Sequence, residues 1–272
     1  MGDDLLPRLG DWARDTGILP KHFKCPFYDE CNSSLQKKRL SLDGGRTCHM
    51  SYIGREYGQT FRIVLIGMEP VSEGDYFVYE DFAKCRKGIE EFFYGGKERF
   101  NPHYQGVIRT AAAALGDEGR YCGETCAPDR KCSGLSRGDQ RCVLLAIAQA
   151  NLVKCAPKKE DDNRDAAATP VMRLNCQRHL LHEIETLQPG LVVFHFADAR
   201  WDVLESEGWN LMEVAEATED SYGAVIKVLK TPNLECPLLF LHHPARNGLE
   251  KQWSGVVEPA LRFLRARNLI PS

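Results

Sequence analysis

The stretch Phe61-Arg62-Ile63-Val64-Leu65-Ile66-Gly67 is short, β-branched and ends on glycine. These are the marks of a buried strand whose chain turns sharply at its carboxyl end. Three further apolar segments follow it. Residues 143–153 are long enough for helical turns in their first half and read as a strand at their end, Ala150-Asn151-Leu152-Val153. Leu191-Val192-Val193-Phe194-His195-Phe196 comes after Pro189-Gly190, and Pro237-Leu238-Leu239-Phe240-Leu241-His242 after a turn at Thr231-Pro232-Asn233, so both read as strands. Helical patterns lie between them. Leu180, Ile184 and Leu187 share one face, with Cys176 a turn earlier; residues 106–115 are Ala-rich; residues 258–267 set Leu261 and Leu264 against Arg262, Arg265 and Arg267. Strands alternating with helices predict an α/β domain with a central, mainly parallel four-stranded sheet flanked by helices. In such a sheet ligands gather at the carboxyl ends of the strands.

A chain of 272 residues has room for one large domain or two small ones at roughly 150 residues each. The expected division is a Cys-bearing N-terminal arm over 1–50 and a single α/β domain over 51–272, with insertions at about 71–100 and 116–142. Thirty-five Lys and Arg against 38 Asp and Glu leave a net charge of −3, which excludes a globally basic coat and leaves nucleic acid only a local patch. With 43% hydrophobic and 27% charged residues, disorder, collagen and coiled coil are excluded. The opening Met1-Gly2-Asp3-Asp4 is acidic with no apolar stretch behind it, Leu6 breaks a myristoylation signal, and the run 143–148 is too short to span a bilayer. A cytoplasmic monomer with no membrane partner is expected. Its 11 cysteines then point to metal binding or redox work rather than disulfides.

Three strand ends finish in polar residues with an abrupt break: Gly67-Met68-Glu69-Pro70, Asn151-Leu152-Val153-Lys154-Cys155-Ala156-Pro157, and His242-His243-Pro244-Ala245-Arg246-Asn247. In this order the set resembles the uracil-DNA glycosylase superfamily. Gly67-Met68-Glu69-Pro70 has the form of its Gly-x-x-Pro turn, with Glu69 where the G-Q-D-P turn carries its catalytic Asp. Asn151 to Pro157, then Asn163-Arg164-Asp165, then Cys176 resemble the N-x-V-K-C-R-P-P-x-N-R segment and second Cys of the iron-sulfur branch, the family 4 enzymes. His243-Pro244-Ala245-Arg246-Asn247, with Trp253, is similar to the H-P-S-P-R-N loop of the single-strand-selective monofunctional enzymes. The resemblance spans about residues 20–267 and implies a uracil-DNA glycosylase-like fold and activity.

What the resemblance implies for each residue has a chemical reason. Breaking an N-glycosidic bond builds positive charge on the sugar and negative charge on the departing base, so Glu69 and His243 are the expected catalytic residues. Asn151 carries an amide that can read the O4 and N3–H edge of uracil, with Met68 and Tyr104 as further base-binding residues. Tyr104, in Pro102-His103-Tyr104-Gln105-Gly106, is the expected stacking aromatic, with His103, Phe100 and Phe77 as rivals. Because the nucleotide must be flipped out of the helix, a side chain has to fill the hole; Arg246 is the expected wedge, with Asn247 beside it. Lys154 and Arg164, together with Lys37, Lys38, Arg39, Lys158 and Lys159, form the expected basic patch for DNA, single- or double-stranded.

The chain departs from the family pattern at the turn, in the length of the stretch after it, and in the spacing of Cys25 and Cys31, which is not the family's C-x2-C. The family 4 turn is G-E-A-P-G, with its carboxylate where this chain has Met68, so the catalytic assignment follows the G-Q-D-P form. The stretch after Pro70 is longer than the family's spacing and carries Tyr76, Phe77, Tyr79, Phe82, Phe92, Phe93 and Tyr94, either a small core of its own or a reshaped base pocket. In the family 4 pattern Cys155 and Cys176 join an N-terminal pair, here Cys25 and Cys31, to hold a 4Fe-4S cluster; Cys48 could replace Cys31. Four thiolates suit iron-sulfur or zinc equally on ligand grounds, so the preference for iron rests on the resemblance. Cys122, Cys126 and Cys132, with Cys142 beyond, are a possible separate zinc set.

The function that follows is a monofunctional DNA glycosylase hydrolysing the bond to uracil or another modified pyrimidine and leaving an abasic site. No Lys stands in the turn after Gly67 to form a Schiff base. Two alternatives stay open, a glycosylase against bulky modified pyrimidines in foreign DNA and a noncatalytic iron-sulfur protein that binds nucleic acid.

Overall fold

The structure, a computed structural model, describes residues 2–16, 25–42, 51–67, 82–94, 102–116, 121–122, 136–137, 140–155, 157–159, 166–196, 204, 208–216, 224–242 and 253–272. Helices α1 (Gly2–Asp15) and α2 (Tyr28–Gln36) precede strands β1 (Leu40–Leu42), β2 (Tyr52–Ile53) and β3 (Ile63–Gly67). Helices α3 (Phe82–Tyr94) and α4 (Pro102–Leu115) follow, then strands β4 (Tyr121–Cys122), β5 (Ser136–Arg137), β6 (Gln140–Cys142), β7 (Ile147–Asn151) and β8 (Pro157–Lys159). Helix α5 (Pro170–Leu187) leads to β9 (Leu191–Phe196), β10 (Leu211–Glu216), β11 (Val225–Lys230) and β12 (Glu235–His242), and α6 (Glu258–Ala266) closes the chain.

The main sheet has seven strands in the order β10-β11-β12-β9-β3-β7-β2. The contacts β12–β9, β9–β3 and β3–β7 are parallel, whereas β10–β11, β11–β12 and β2–β7 are antiparallel. The expected four parallel strands are thus only the centre of a larger mixed sheet, and the expectation is corrected in that respect. The turn at Thr231-Pro232-Asn233 explains the extension: Thr231 Oγ1 accepts from the N–H groups of Asn233 and Leu234 at 3.2 and 3.1 Å. A turn that tight returns one strand onto another, so β12 has a hairpin partner in β11 and, through it, β10. The parallel centre is apolar along its length, with Ile63, Val64, Ile66, Leu191, Val192, Val193, Phe194, Leu238 and Leu239 fully buried, as a sheet covered on both faces requires.

Residues 143–146 form a 3₁₀ turn rather than a longer helix, and β7 begins directly after it. Gly190 is required by contact, since a Cβ there would overlap the ring of Phe61. Helix α5 starts on Thr169, whose hydroxyl accepts from Met172 N–H at 3.2 Å, with Pro170 in its first turn, and it ends on Gln188 in the left-handed conformation. Cys176, Leu180, Ile184 and Leu187 are all buried along it.

The N-terminal arm contributes α1, α2 and the short strand β1, and α2 packs on the start of α5. The hydroxyls of Ser34 and Thr169 are 2.7 Å apart, and Asn175 Nδ2 donates to Glu30 at 3.1 Å. In the 71–100 insertion, Phe82, Cys85 and Ile89 of α3 belong to the main core. Phe82 therefore does not serve a separate small core. The 116–142 insertion, read from sequence as a loop, contains the small sheet β4-β6-β5. Among the described residues no helix is long and apolar enough to cross a membrane.

Candidate functional site

The chain runs from β3 to β7 on one side and then crosses back to β9 and β12 on the other, so strand order reverses between β3 and β9. Neighbouring connections leave such a sheet on opposite sides, which opens a crevice at the carboxyl ends of these strands. Three side-by-side positions meet there, because Gly67 pairs with both Asn151 and His195. A Cβ on Gly67 would stand 2.7 Å from Asn151 Oδ1. A Cβ here would oblige the amide to shift, and the glycine does not serve an unusual φ. Leu152 N–H donates to Gly67 O at 2.8 Å, holding the chain beyond Asn151 against β3. The sequence reading gave no role to His195, which is buried in this row; a histidine within an otherwise apolar strand was the available signal. His242, also buried, lies one strand further on and pairs with Phe196.

A second cluster gathers on the outer part of α5. Cys31, Cys155 and Cys176 are buried, Cys25 is half-buried, and all are free thiols. Cys31 lies near enough to raise the pKa of Cys25 and Cys176, and Cys25 near enough to raise that of Cys176. Each of these three sulfurs faces an N–H group. The main-chain N–H of Phe27 donates to Cys25, Asn175 Nδ2 donates to Cys31 Sγ at 3.6 Å, and the main-chain N–H of Lys154 donates to Cys176; His179 Nε2 lies 3.5 Å from Cys25 Sγ. Burial pushes the Cys176 thiol up to about 12, against the pull of the Lys154 N–H and ammonium. It likewise drives His179 down to about 4, with the charge of Lys154 acting in the same sense. The His179 ring is held edge-on by Trp12 at 5.8 Å and Phe27 at 5.7 Å. Among the described residues, no three His, Cys, Asp or Glu side chains stand close enough to hold an ion as they are. Sequence spacing drew attention to the cysteines, but nothing in it singled out Asn175 or His179.

Lys154 corrects an expectation. It was read as a phosphate contact, yet its side chain is 2% exposed and its ammonium pairs with Glu183, itself buried. The other Glu183 oxygen accepts from Ser51 Oγ at 2.9 Å. An ammonium enclosed in this way cannot reach DNA; it anchors the segment between Asn151 and Cys155 to α5 and to the chain before β2. The cations on either side of it differ. Lys37, Lys38, Arg39 and Lys159 are exposed, and Lys158 is half-buried.

Met68, Glu69, Arg164, His243, Arg246 and Asn247 lie outside the described residues, as do Cys48, Cys126 and Cys132. Tyr104 lies in the first turn of α4, and its side chain is outside the description. Cys122 and Cys142 are register partners on β4 and β6. Trp253 is half-buried under the guanidinium of Arg109, which sits 4.3 Å from the ring centre. No protein-family model matches the chain, and no curated protein matches it.

Proposed function

We propose that the chain is a monofunctional DNA glycosylase that excises uracil or another modified pyrimidine flipped out of DNA. The observation that carries this reading is the meeting of Gly67 and Asn151. Two motifs far apart in the chain end side by side on the adjacent parallel strands β3 and β7, next to the β3–β9 step where strand order reverses and a ligand crevice is expected. The third motif follows His242, at the end of another strand of the same parallel set. In this reading the Asn151 amide, steadied over Gly67, donates and accepts along the pyrimidine edge. Glu69 stabilises the cationic sugar, and His243 donates to the base as the bond to C1′ breaks and its electron pair leaves with the base. Water adds at C1′ and leaves an abasic site.

In this reading the cysteines around the start of α5 are the ligands of a thiolate-bound centre, although they do not stand close enough to hold an ion as they are. What supports it is that Cys25, Cys31 and Cys176 each accept from an N–H group, as metal-bound thiolates do. Cys25, Cys31, Cys155 and Cys176 would hold a 4Fe-4S cluster, and the group would supply a rigid tie between the N-terminal arm and the domain. The protein should then carry about four iron atoms per chain and absorb near ~400 nm.

Oligonucleotides carrying uracil or other modified pyrimidines, incubated with the protein and then treated with alkali, test the activity. Cleavage at the modified base supports the proposal. Intact strands across the whole panel, from protein that still binds them, would replace it with the noncatalytic reading.

A further inference from the structure

Strands β1 and β8 form a separate two-stranded antiparallel ribbon in which Leu40 pairs with Lys159, Ser41 with Lys158 and Leu42 with Pro157. Two basic tracts distant in sequence become one surface, because Lys37, Lys38 and Arg39 lead directly into β1. No carboxylate among the described residues forms an ion pair with Lys37, Lys38, Arg39 or Lys159. Glu160, Asp161 and Asp162 follow in the chain and lie outside the described residues.

Arg39 supplies a second, independent observation. Its φ is +55°, a left-handed conformation that a side chain disfavours and glycine adopts freely. It closes the end of α2 through its N–H bond to Gln36 O at 3.0 Å, at a position where glycine is the usual occupant. Gln188 and Asn268 share this conformation, so it does not by itself mark a binding role; what distinguishes Arg39 is that its exposed cation stands in the turn directly before β1. Cations near a helix C-terminus also favour the helix dipole, but Gly at position 39 would end the helix better, and Lys158 and Lys159 belong to no helix.

We propose that the β1–β8 ribbon is a docking surface for the phosphate backbone of nucleic acid. The ribbon starts six residues after Asn151, a distance of at most ~22 Å of chain, so it grips the strand a few nucleotides from the base held at Gly67 and Asn151. The inference deepens the function proposed above and rests on its choice of partner. A single phosphate would need only one or two of these cations; three leading into the ribbon and two on it match a repeating anion.

The test is binding of the full-length protein to a fluorescent oligonucleotide, single- and double-stranded, over a series of KCl concentrations. Arg39→Gly, Lys158→Gln and Lys159→Gln should each lower the slope of log affinity against log salt by about 0.7 on single strands and 0.9 on duplex. That corresponds to roughly three- to fourfold in affinity for each contact over a fourfold change in salt. Arg39→Gly should do this with an unchanged or raised melting temperature, a combination that a purely structural arginine would not give. Arg262→Gln, on the exposed side of α6, is the control for bulk charge and should leave binding at the parental level. Parental affinity and slope in all three ribbon variants, or an equal loss in Arg262→Gln, would overturn the proposal. So would a parent protein that ignores oligonucleotides and binds anionic phospholipid vesicles. Ribbon-dependent binding without base excision would sink the glycosylase reading and leave this one standing.

Discussion

Lys154 and Lys159 lie on one short segment and have opposite environments. Lys154 is enclosed against α5 with its ammonium on Glu183, whereas Lys159 stands exposed on a two-stranded ribbon. The chain between them passes from the domain interior to its surface within a few residues. Charge in a sequence therefore says little about use until burial is known. An enclosed ammonium must be paired and acts on its own fold, while an exposed one is available to a partner.

The contrast is sharpest in stability. Lys154→Met leaves the Glu183 carboxylate buried with only Ser51 as its hydrogen-bond partner among the contacts described above, and should cost about 3–5 kcal/mol in urea unfolding. Adding Glu183→Gln removes the stranded charge and still accepts from Ser51, so the double variant should recover most of that loss. A single-variant cost below about 1 kcal/mol would mean that the ammonium reaches water, and the comparison would fail. Gly67→Ala tests how far the tightly packed side extends toward the crevice. Its Cβ would meet Asn151 Oδ1, and the expected cost is about 1–3 kcal/mol. Pairing it with Asn151→Ala should remove most of that penalty, whereas strict additivity of the two losses would show that the amide is not the obstacle. Lys159→Gln should have the smallest effect, within about 0.5 kcal/mol of the parent. A larger loss would mean that the ribbon cations hold the fold together and are not simply displayed.

The centre of the fold was legible because parallel strands buried on both faces are nearly pure apolar runs; residues 63–67, 191–196 and 235–242 are recognisable without partners. The flanking strands were not, since β10 exposes Met212 and Val214, the apolar run of β11 is broken by Lys227 and Lys230, and both take their place only by pairing with a neighbour. The site divides in the same way. Asn151 and the cysteines stood out by residue type and by resemblance, whereas His195, Asn175, His179 and Glu183 carry no local signal of the company they keep.

By itself, then, the sequence determined that four apolar segments alternate with helices, that they end in polar breaks, and that cysteines are plentiful. These are properties of residue type and spacing, which short-range chemistry dictates. Only the tertiary structure decided that Gly67 and Asn151 touch, that three thiols share one neighbourhood on α5, that Lys154 is enclosed, and that two distant basic tracts form one ribbon. Each of these depends on which segments pair and in what register. That choice is made by the packing of the whole sheet and its helices, and no short window of residues contains it.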